Sequence, residues 1–132
     1  MLSYQHVYHA GTFADVIKHV TLTRLMNYMI SKEKPLFYLE THAGRGLYDL
    51  QNKKALKTGE AAQGVQLLWK KKEQLSPVFA PYVQALLALN KGDTLRFYPG
   101  SPWLAINTLR HQDRLVCAEL HPREFDHLQS LT

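Results

Sequence analysis

The segment ETHAGRG at residues 40–46 follows a short apolar run and combines a carboxylate with a glycine-containing turn. Glycines let a backbone approach a ligand closely, and an acidic group at a strand end can hold a polar ligand atom. Glu40, Gly44 and Gly46 therefore suit a nucleoside-type cofactor. The third glycine of the dinucleotide fingerprint is missing, which argues against NAD. A tight turn without any ligand remains the alternative interpretation.

Glu119 is the second candidate, because it stands at the end of the apolar run DRLVCAEL. A carboxylate at the end of the next buried strand can accept hydrogen bonds from both ribose hydroxyls of a nucleoside. The usual interval from the glycine turn is about 20 residues. Here 73 residues separate Gly46 from Glu119, and a basic insertion accounts for the excess. A solvated carboxylate is the alternative.

The N-terminus concentrates aromatic and cationic side chains in very little chain, namely Tyr4, His6, Tyr8, His9, Lys18 and His19. Such groups suit stacking on a base and pairing with phosphate. Lys18 and His19 are adjacent on one predicted helical turn, so we expect them to point in different directions and to serve different tasks. No Cys, Asp or Glu completes a recognisable zinc-ligand spacing with the histidines, so no metal is expected.

The predicted elements that position these residues begin with a helix over residues 12–31. Apolar residues recur there at three- and four-residue steps and predict a buried stripe, namely Val16, Val20, Leu25, Met26 and Met29. Asp15 suits the start of the helix dipole, and Pro35 prevents continuation of the helix. The apolar run LFYLET over residues 36–41 then indicates a strand buried on both faces of a parallel sheet.

From about Tyr48 to Lys91 the pattern becomes helical and strongly basic, with helices predicted over residues 61–75 and 76–92. Lysines in this stretch are candidate RNA ligands, namely Lys53, Lys54, Lys57, Lys70, Lys71 and Lys72. An ordinary solvated helix face is the alternative use of such a run.

The remaining pattern is a strand over residues 94–98, a helix over 101–110 with Ser101 as its cap, a strand over 113–120 and a helix from 121. Strands that alternate with helices imply parallel βαβ units and an α/β fold. We predict a sheet domain built from residues 1–46 and 93–132 and a basic helical insertion subdomain over 47–92. The bare strand edges of so small a sheet predict self-association.

Composition restricts the class of protein. Hydrophobic residues make up 45% and charged residues 20% of the chain, which is typical of a globular domain. No apolar run approaches the ~18 residues needed to span a membrane, and no secretory signal pattern is present. The single cysteine, Cys117, excludes an internal disulfide and is expected to be buried and unreactive. The net charge of +5 favours a polyanionic partner. We therefore expect a soluble protein of a reducing cytoplasm.

Several long segments resemble, in collinear order over essentially the whole chain, the bacterial 23S rRNA adenine-N6 methyltransferase J family. They are MLSYQHVYHAGTFADVIKH, FYLETHAGRGLYDL, KTGEAAQGV, LRFYPGSP and AELHP. The resemblance implies a Rossmann-like class I methyltransferase fold with a small helical subdomain inserted after the first strand. It also implies S-adenosylmethionine as the cofactor and S-adenosylhomocysteine as its product. The implied cofactor residues are Lys18, His19, His42, Ser101 and Glu119, and the implied active-site residues are Tyr4, His6 and Lys18.

The implied activity is methyl transfer to the N6 amine of an adenine in 23S ribosomal RNA, and members are also described as involved in catabolism of external DNA. Neither Asp-Pro-Pro-Tyr nor Asn-Pro-Pro-Tyr, the catalytic motif of such amino methyltransferases, occurs in the sequence. That motif binds the amine and stacks on the flipped base. We therefore expect a fragment or truncated form that is inactive alone. A non-catalytic nucleic-acid-binding module is the alternative, whereas a nuclease lacks clustered carboxylates suited to two metals.

Overall fold

A computed structural model describes residues 4–131 of the chain. The helices are α1 (Phe13–Ile30), α2 (Lys53–Thr58), α3 (Val65–Lys70), α4 (Ala80–Leu89), α5 (Ser101–Thr108) and α6 (Pro122–Gln129). The strands are β1 (Phe37–Glu40), β2 (Leu47–Asp49), β3 (Phe97–Pro99) and β4 (Arg114–Cys117). Single 3-10 turns cover His6–Tyr8, Glu60–Gln63, Lys72–Gln74 and Pro77–Phe79. The ends of the predicted sheet domain, residues 1–3 and 132, lie outside the described residues.

Helix α1 confirms the helix predicted over residues 12–31. Thr12 caps it by accepting a hydrogen bond from the backbone N–H of Asp15 at 3.2 Å. The predicted buried stripe is partly wrong, because Leu25 and Met29 are exposed. The buried face of α1 instead mixes polar and apolar side chains, namely Asp15, Val16, His19, Thr23 and Met26. The polar members can be buried because each finds a hydrogen-bond partner in the fold.

Strands β1 and β4 pair in parallel, with Leu39 opposite Val116. This pairing confirms the predicted α/β class and the parallel arrangement of the two apolar runs. Burial on both faces was predicted and is wrong, because exposure alternates along each strand. Phe37, Leu39 and Val116 are exposed, whereas the opposite face is half-buried and helix α5 contacts β4.

Strands β2 and β3 form a separate antiparallel pair in which Tyr48 lies opposite Tyr98. The prediction that residues from Tyr48 onward are helical is wrong at β2, and the strand predicted over 94–98 does not join the parallel sheet. Three-residue strands are too short to show a period of two in the sequence. Gly46, with a φ of +84°, turns the chain between the two sheets, and its carbonyl accepts from Gly100 N at 2.8 Å.

The helix predicted over residues 61–75 is broken at Gly64, which precedes α3. A Cβ at this position would lie 2.2 Å from the backbone oxygen of Gly11, so only glycine permits the approach. The second predicted helix, over 76–92, becomes a 3-10 turn capped by Ser76 and then α4.

The main core joins α1 to the antiparallel pair and to the helical stretch between β2 and β3. It is formed by Val7, Ala10, Val16, Tyr48, Leu50, Ala55, Val65, Trp69, Tyr82, Leu86, Leu95 and Tyr98. These residues come from both of the predicted segments, 1–46 with 93–132 and 47–92. The division into two regions therefore stays a prediction, and the helical stretch shares its core with the N-terminal segment.

Candidate functional site

A cavity of about 550 Å³ opens beyond the carboxyl ends of the parallel strands β1 and β4. Ligands of α/β sheets bind at this edge, because the loops that follow adjacent parallel strands meet there. The cavity brings together most of the residues that the sequence singled out, namely Tyr4, His6, Lys18, His19, His42, Gly44, Ser101 and Glu119.

The predicted residues that do not line this cavity are Gly46, Glu40, Tyr8, His9 and the six lysines. A Cβ on Gly46 would lie 2.3 Å from Leu131 Cδ1, so this glycine packs its turn against the C-terminal helix rather than lining the cavity. The lysines lie on α2 and at the end of α3. Two of them already contact protein: Lys54 donates to Gln5 Oε1 at 2.7 Å, and Lys72 lies 4.2 Å from the centre of the Trp69 ring. A role in RNA binding stays a prediction.

Glu119 ties together the two loops that follow the parallel strands. Its Oε1 accepts a hydrogen bond from Gly44 N at 2.8 Å, and its Oε2 accepts from His121 N at 2.8 Å. The loops also meet through Ala43 N, which donates to the carbonyl of Ala118 at 3.0 Å. Each carboxylate oxygen has a further lone pair, so Glu119 can accept additional hydrogen bonds from hydroxyls of a ligand in the cavity.

Ser101 is the first residue of α5, and its hydroxyl donates to Oε1 of Glu40 at the end of β1. The predicted cap is wrong: Gly100 occupies the cap position and no side chain caps the helix. The other oxygen of Glu40 is buried and has no partner among the described residues. Burial raises the pKa of Glu40, although the hydrogen bond from Ser101 and the charge of Lys18 oppose this effect. Glu40 itself does not line the cavity and is connected to it through Ser101, which does.

His19 is buried, and its Nδ1 lies 2.8 Å from the hydroxyl of Tyr98. That hydroxyl also lies 2.9 Å from the hydroxyl of Tyr82, so a short polar chain runs from the cavity into the core. Burial lowers the pKa of His19 to about 4, with Lys18 adding to the effect and Asp15 opposing it. His19 is therefore neutral at physiological pH.

Lys18 and His19 differ in exposure, because adjacent residues of a helix point in different directions. The Lys18 side chain is 59% exposed, whereas His19 is 2% exposed. Both nevertheless line the same cavity, because a rotation of roughly 100° per residue lets neighbours flank one opening. The expectation that they serve different tasks gains no support from this arrangement.

Tyr4 and His6 form the outer wall of the cavity. The Tyr4 hydroxyl lies 2.6 Å from His6 Nδ1, and His6 Nε2 lies 2.7 Å from Asp15 Oδ2. The Tyr4 ring is stacked on that of His9 with their centres 5.9 Å apart, and His9 Nδ1 lies 2.6 Å from Glu60 Oε2. An exposed aromatic ring held in this way can stack on a base.

Arg45 and Glu124 form a buried ion pair that no sequence pattern predicted. Arg45 Nε and Nη2 donate to the two carboxylate oxygens of Glu124 at 2.9 and 2.7 Å. Glu124 also lines the cavity, so the pair fixes the glycine turn to α6 at the site. Because 79 residues separate the partners, no local sequence signal could have found them.

His42 and Cys117 are the remaining candidates. His42 is exposed on the cavity rim, where its Nδ1 lies 2.9 Å from Thr41 Oγ1. Cys117 is half-buried rather than buried, and burial with the nearby Glu40 raises the pKa of its thiol to about 11. Within residues 4–131, no three His, Cys, Asp or Glu side chains are grouped to hold a metal ion. No helix in that range has both the length and the apolar character needed to cross a membrane.

Comparison with known proteins places the whole chain in one family. The family model described as "Ribosomal RNA large subunit methyltransferase D, RlmJ" matches residues 33–131. The ribosomal RNA large subunit methyltransferases J of Escherichia coli and Haemophilus influenzae are 41% and 44% identical to the chain, over 98% of its length. The chain spans 46% of each of these relatives, about half of their length.

A solved structure agrees with this result. The crystal structure of a Legionella pneumophila protein assigned to the family model DUF519 is 52% identical, with a TM-score of 0.87 over 94% of this chain and 45% of that one. The fold, the motifs and the relatives thus agree with the resemblance that the sequence showed. The chain belongs to the RlmJ family of ribosomal RNA large subunit methyltransferases.

Proposed function

We propose that this chain supplies the cofactor site, and part of the substrate site, of an S-adenosylmethionine-dependent methyltransferase acting on the N6 amine of an adenine in 23S ribosomal RNA. The observation that carries this proposal is the convergence of Glu119, Ser101 and His19, from three different elements, on one cavity of about 550 Å³. Cavities of about 300–1,000 Å³ hold ligands of nucleoside size. With ribosomal RNA as the substrate, we expect the protein in the cytoplasm.

The residues of the cavity fit this cofactor. Glu119 retains lone pairs for the ribose hydroxyls. The neutral ring of His19 avoids repulsion of a cationic ligand. When bound, the cofactor supplies an electrophilic methyl group on a sulfonium centre. The protein therefore has to orient the reacting groups and exclude water rather than to generate a nucleophile.

The substrate side of this site is formed by Tyr4, His6 and Lys18. Tyr4 is 65% exposed at the cavity, where its ring can stack on an unpaired base. The Lys18 ammonium can pair with a phosphate. The exposed lysines Lys53, Lys57, Lys70 and Lys71 are proposed to extend this contact along the RNA backbone.

The test is calorimetric titration of S-adenosylhomocysteine into the chain and into Glu119→Ala. We expect at least about tenfold weaker binding in the variant, because hydrogen bonds between a charged acceptor and the ribose are removed. Glu119→Gln is tested beside it, since alanine also removes the acceptor for Gly44 N and His121 N.

The matched control is Glu73→Ala, which removes an exposed carboxylate away from the cavity and should leave affinity unchanged. Far-ultraviolet circular dichroism of each variant verifies that it is folded. A folded wild-type chain that does not bind S-adenosylhomocysteine contradicts the proposal that this chain carries the cofactor site. Equal reductions in affinity in Glu73→Ala and Glu119→Ala contradict the proposed role of Glu119.

A second candidate function is a non-catalytic nucleic-acid-binding module, favoured by the exposed lysines Lys53, Lys57, Lys70 and Lys71. The RNA affinity of such a module falls steeply as the salt concentration rises, and S-adenosylhomocysteine does not change it. For a single-stranded RNA, Lys70→Ala combined with Lys71→Ala should reduce the salt slope by about 0.7 for each phosphate that these lysines neutralise. Lys34→Ala, on the exposed loop after α1, is the control. An RNA affinity that rises with S-adenosylhomocysteine instead favours the methyltransferase.

A further inference from the structure

Asp15 is a buried carboxylate at the point where the substrate-side residues meet. It lies in the first turn of α1 and is 1% exposed. Its Oδ2 accepts a hydrogen bond from Gly11 N at 3.0 Å and lies 2.7 Å from His6 Nε2. Its Oδ1 lies 3.2 Å from the Lys18 ammonium. Burying a carboxylate is costly unless its oxygens are paired, and both oxygens of Asp15 are paired here with groups that reach the cavity wall.

The charge state of Asp15 decides which ring nitrogen of His6 carries a proton. Burial acts to raise the pKa of Asp15, but the hydrogen bond from His6 and the nearby Lys18 ammonium help to lower the pKa to about 2. An ionised carboxylate only accepts hydrogen bonds. The contact of 2.7 Å therefore requires a proton on His6 Nε2, which leaves Nδ1 of the neutral ring as an acceptor.

We propose that Asp15 is a positioning residue of the substrate side, which fixes the His6 proton on Nε2 and holds the Lys18 ammonium at the cavity wall. The inference deepens the proposed function and rests on it for the identity of the ligand. Asp15 does not line the cavity itself, so it acts through His6 and Lys18. An aspartate that orients a histidine ring in this way is a recurrent device in enzyme sites.

The consequence reaches Tyr4. With a proton on Nε2, His6 accepts at Nδ1 the hydrogen of the Tyr4 hydroxyl, 2.6 Å away. The lone pairs of the Tyr4 oxygen are then left to accept a hydrogen bond from an N–H donor in the cavity. The exocyclic amine of a base is such a donor. Asp15 thereby determines that Tyr4 presents an acceptor to the ligand.

If Asp15 only stabilised helix α1, it would not determine the tautomer of His6. An aspartate in the first turn of a helix favours the helix dipole whichever nitrogen of a nearby histidine is protonated. The tautomer of His6 therefore separates the two roles. Long-range proton–nitrogen correlation spectra of the imidazole rings report it directly in the ¹⁵N-labelled chain, at a pH where histidine is neutral.

The experiment compares the wild-type chain with Asp15→Asn, Tyr4→Phe and Asp126→Asn. In the wild-type chain we expect the Nε2-protonated tautomer of His6 in at least about tenfold excess, since a hydrogen bond to a charged group exceeds a neutral one. Asp15→Asn should abolish most of this excess, because an amide can also donate to the ring. Asp126→Asn replaces an exposed carboxylate on α6 and should leave the tautomer excess of His6 unchanged. Tyr4→Phe should leave it unchanged as well, because Asp15 and not Tyr4 sets the tautomer.

Three outcomes overturn the inference. They are an Nδ1-protonated His6 in the wild-type chain, an unchanged tautomer in folded Asp15→Asn, or a disappearance of the excess in Tyr4→Phe. If Asp15→Asn does not fold, the wild-type and Tyr4→Phe spectra still decide. The spectra need no cofactor, so titration of S-adenosylhomocysteine into the same samples tests the proposed function separately: absent binding contradicts that function, whereas the tautomer alone decides the role of Asp15.

Discussion

The two small sheets of this protein differ in a way that their sequences do not suggest. The parallel pair β1–β4 is built from the more continuous apolar runs, yet it exposes Phe37, Leu39 and Val116. The antiparallel pair β2–β3 has three residues per strand and belongs to the main core through Tyr48 and Tyr98. The loops that follow the parallel strands line the cavity. The antiparallel pair instead contacts helix α1 through Tyr98 and His19, and His19 faces the cavity.

The difference places the buried core mainly on the antiparallel pair and the predicted binding residues mainly after the parallel strands. Tyr98 is fully buried and its hydroxyl contacts His19 and Tyr82, so the antiparallel pair anchors α1. Glu119 follows the parallel strand β4, lines the cavity and keeps capacity for further hydrogen bonds. Changes in the antiparallel pair should therefore alter folding first, and changes at the parallel pair should alter binding and association first.

The largest effect is expected for Tyr98→Ala. Removal of this fully buried ring should reduce the free energy of unfolding by about 3–5 kcal/mol, as for other large aromatic residues in cores. Leu39→Ala, on the exposed face of β1, should cost less than about 1 kcal/mol. Urea denaturation followed by circular dichroism measures both. Similar destabilisation of the two variants would show that the parallel pair is buried in solution, contrary to the comparison.

A smaller effect concerns the pH dependence of stability. The pKa of His19 is lowered to about 4 in the folded chain, below the ordinary value near 6.5. The unfolded chain therefore takes up this proton first as pH falls. The contribution of neutral His19 is complete above pH 6.5 and is lost progressively down to pH 4, by on the order of 3 kcal/mol.

Denaturation midpoints at several pH values between 4 and 7 test this expectation in the wild-type chain and in His19→Gln. The slope with pH should be much smaller in the variant. His111→Gln alters an exposed histidine and should keep the wild-type slope. A slope that is equal in all three proteins would show that His19 is not the group responsible. The lowered pKa of Asp15, about 2, adds a further decrease in stability only below about pH 4.

The smallest effect on stability is expected for Phe37→Ser combined with Val116→Ser. This double variant should, however, change self-association measurably. Both side chains are exposed, so the free energy of unfolding should change by no more than about 1 kcal/mol. Exposed apolar strands pair with other chains, so sedimentation should show self-association of the wild-type chain and a shift toward the 15.2 kDa monomer in the variant. A wild-type chain that already sediments as a monomer contradicts this prediction.

Much of the fold was predicted where a signal is local and long. The helix over 12–31, the two parallel strands and their α/β class are all confirmed. The strand β2 was missed and the helix over 61–75 was broken at Gly64, because a three-residue strand and a close approach to Gly11 have no local pattern. The buried face of α1 was partly misassigned, although Asp15, His19 and Thr23 recur at four-residue steps and could have indicated it.

For the site, the sequence by itself determined the residue types and their positions at strand ends, so Glu119 and Gly44 could be named from these signals. His42 was named through the family resemblance. The roles of these residues stay predictions. Tertiary structure decided that Ser101 bonds to Glu40 instead of capping a helix, and that Arg45 pairs with Glu124.

The physical reason lies in the range of the interactions. Periodicity, capping and turn propensities act over a few residues and can be read along the chain. Hydrogen bonds such as that between His19 and Tyr98 join residues 79 positions apart in the sequence. Because both residues are buried, each polar group needs such a partner. The sequence therefore determined which groups were available, whereas the folded packing decided which of them line the cavity, which are neutral and which retain capacity for further hydrogen bonds.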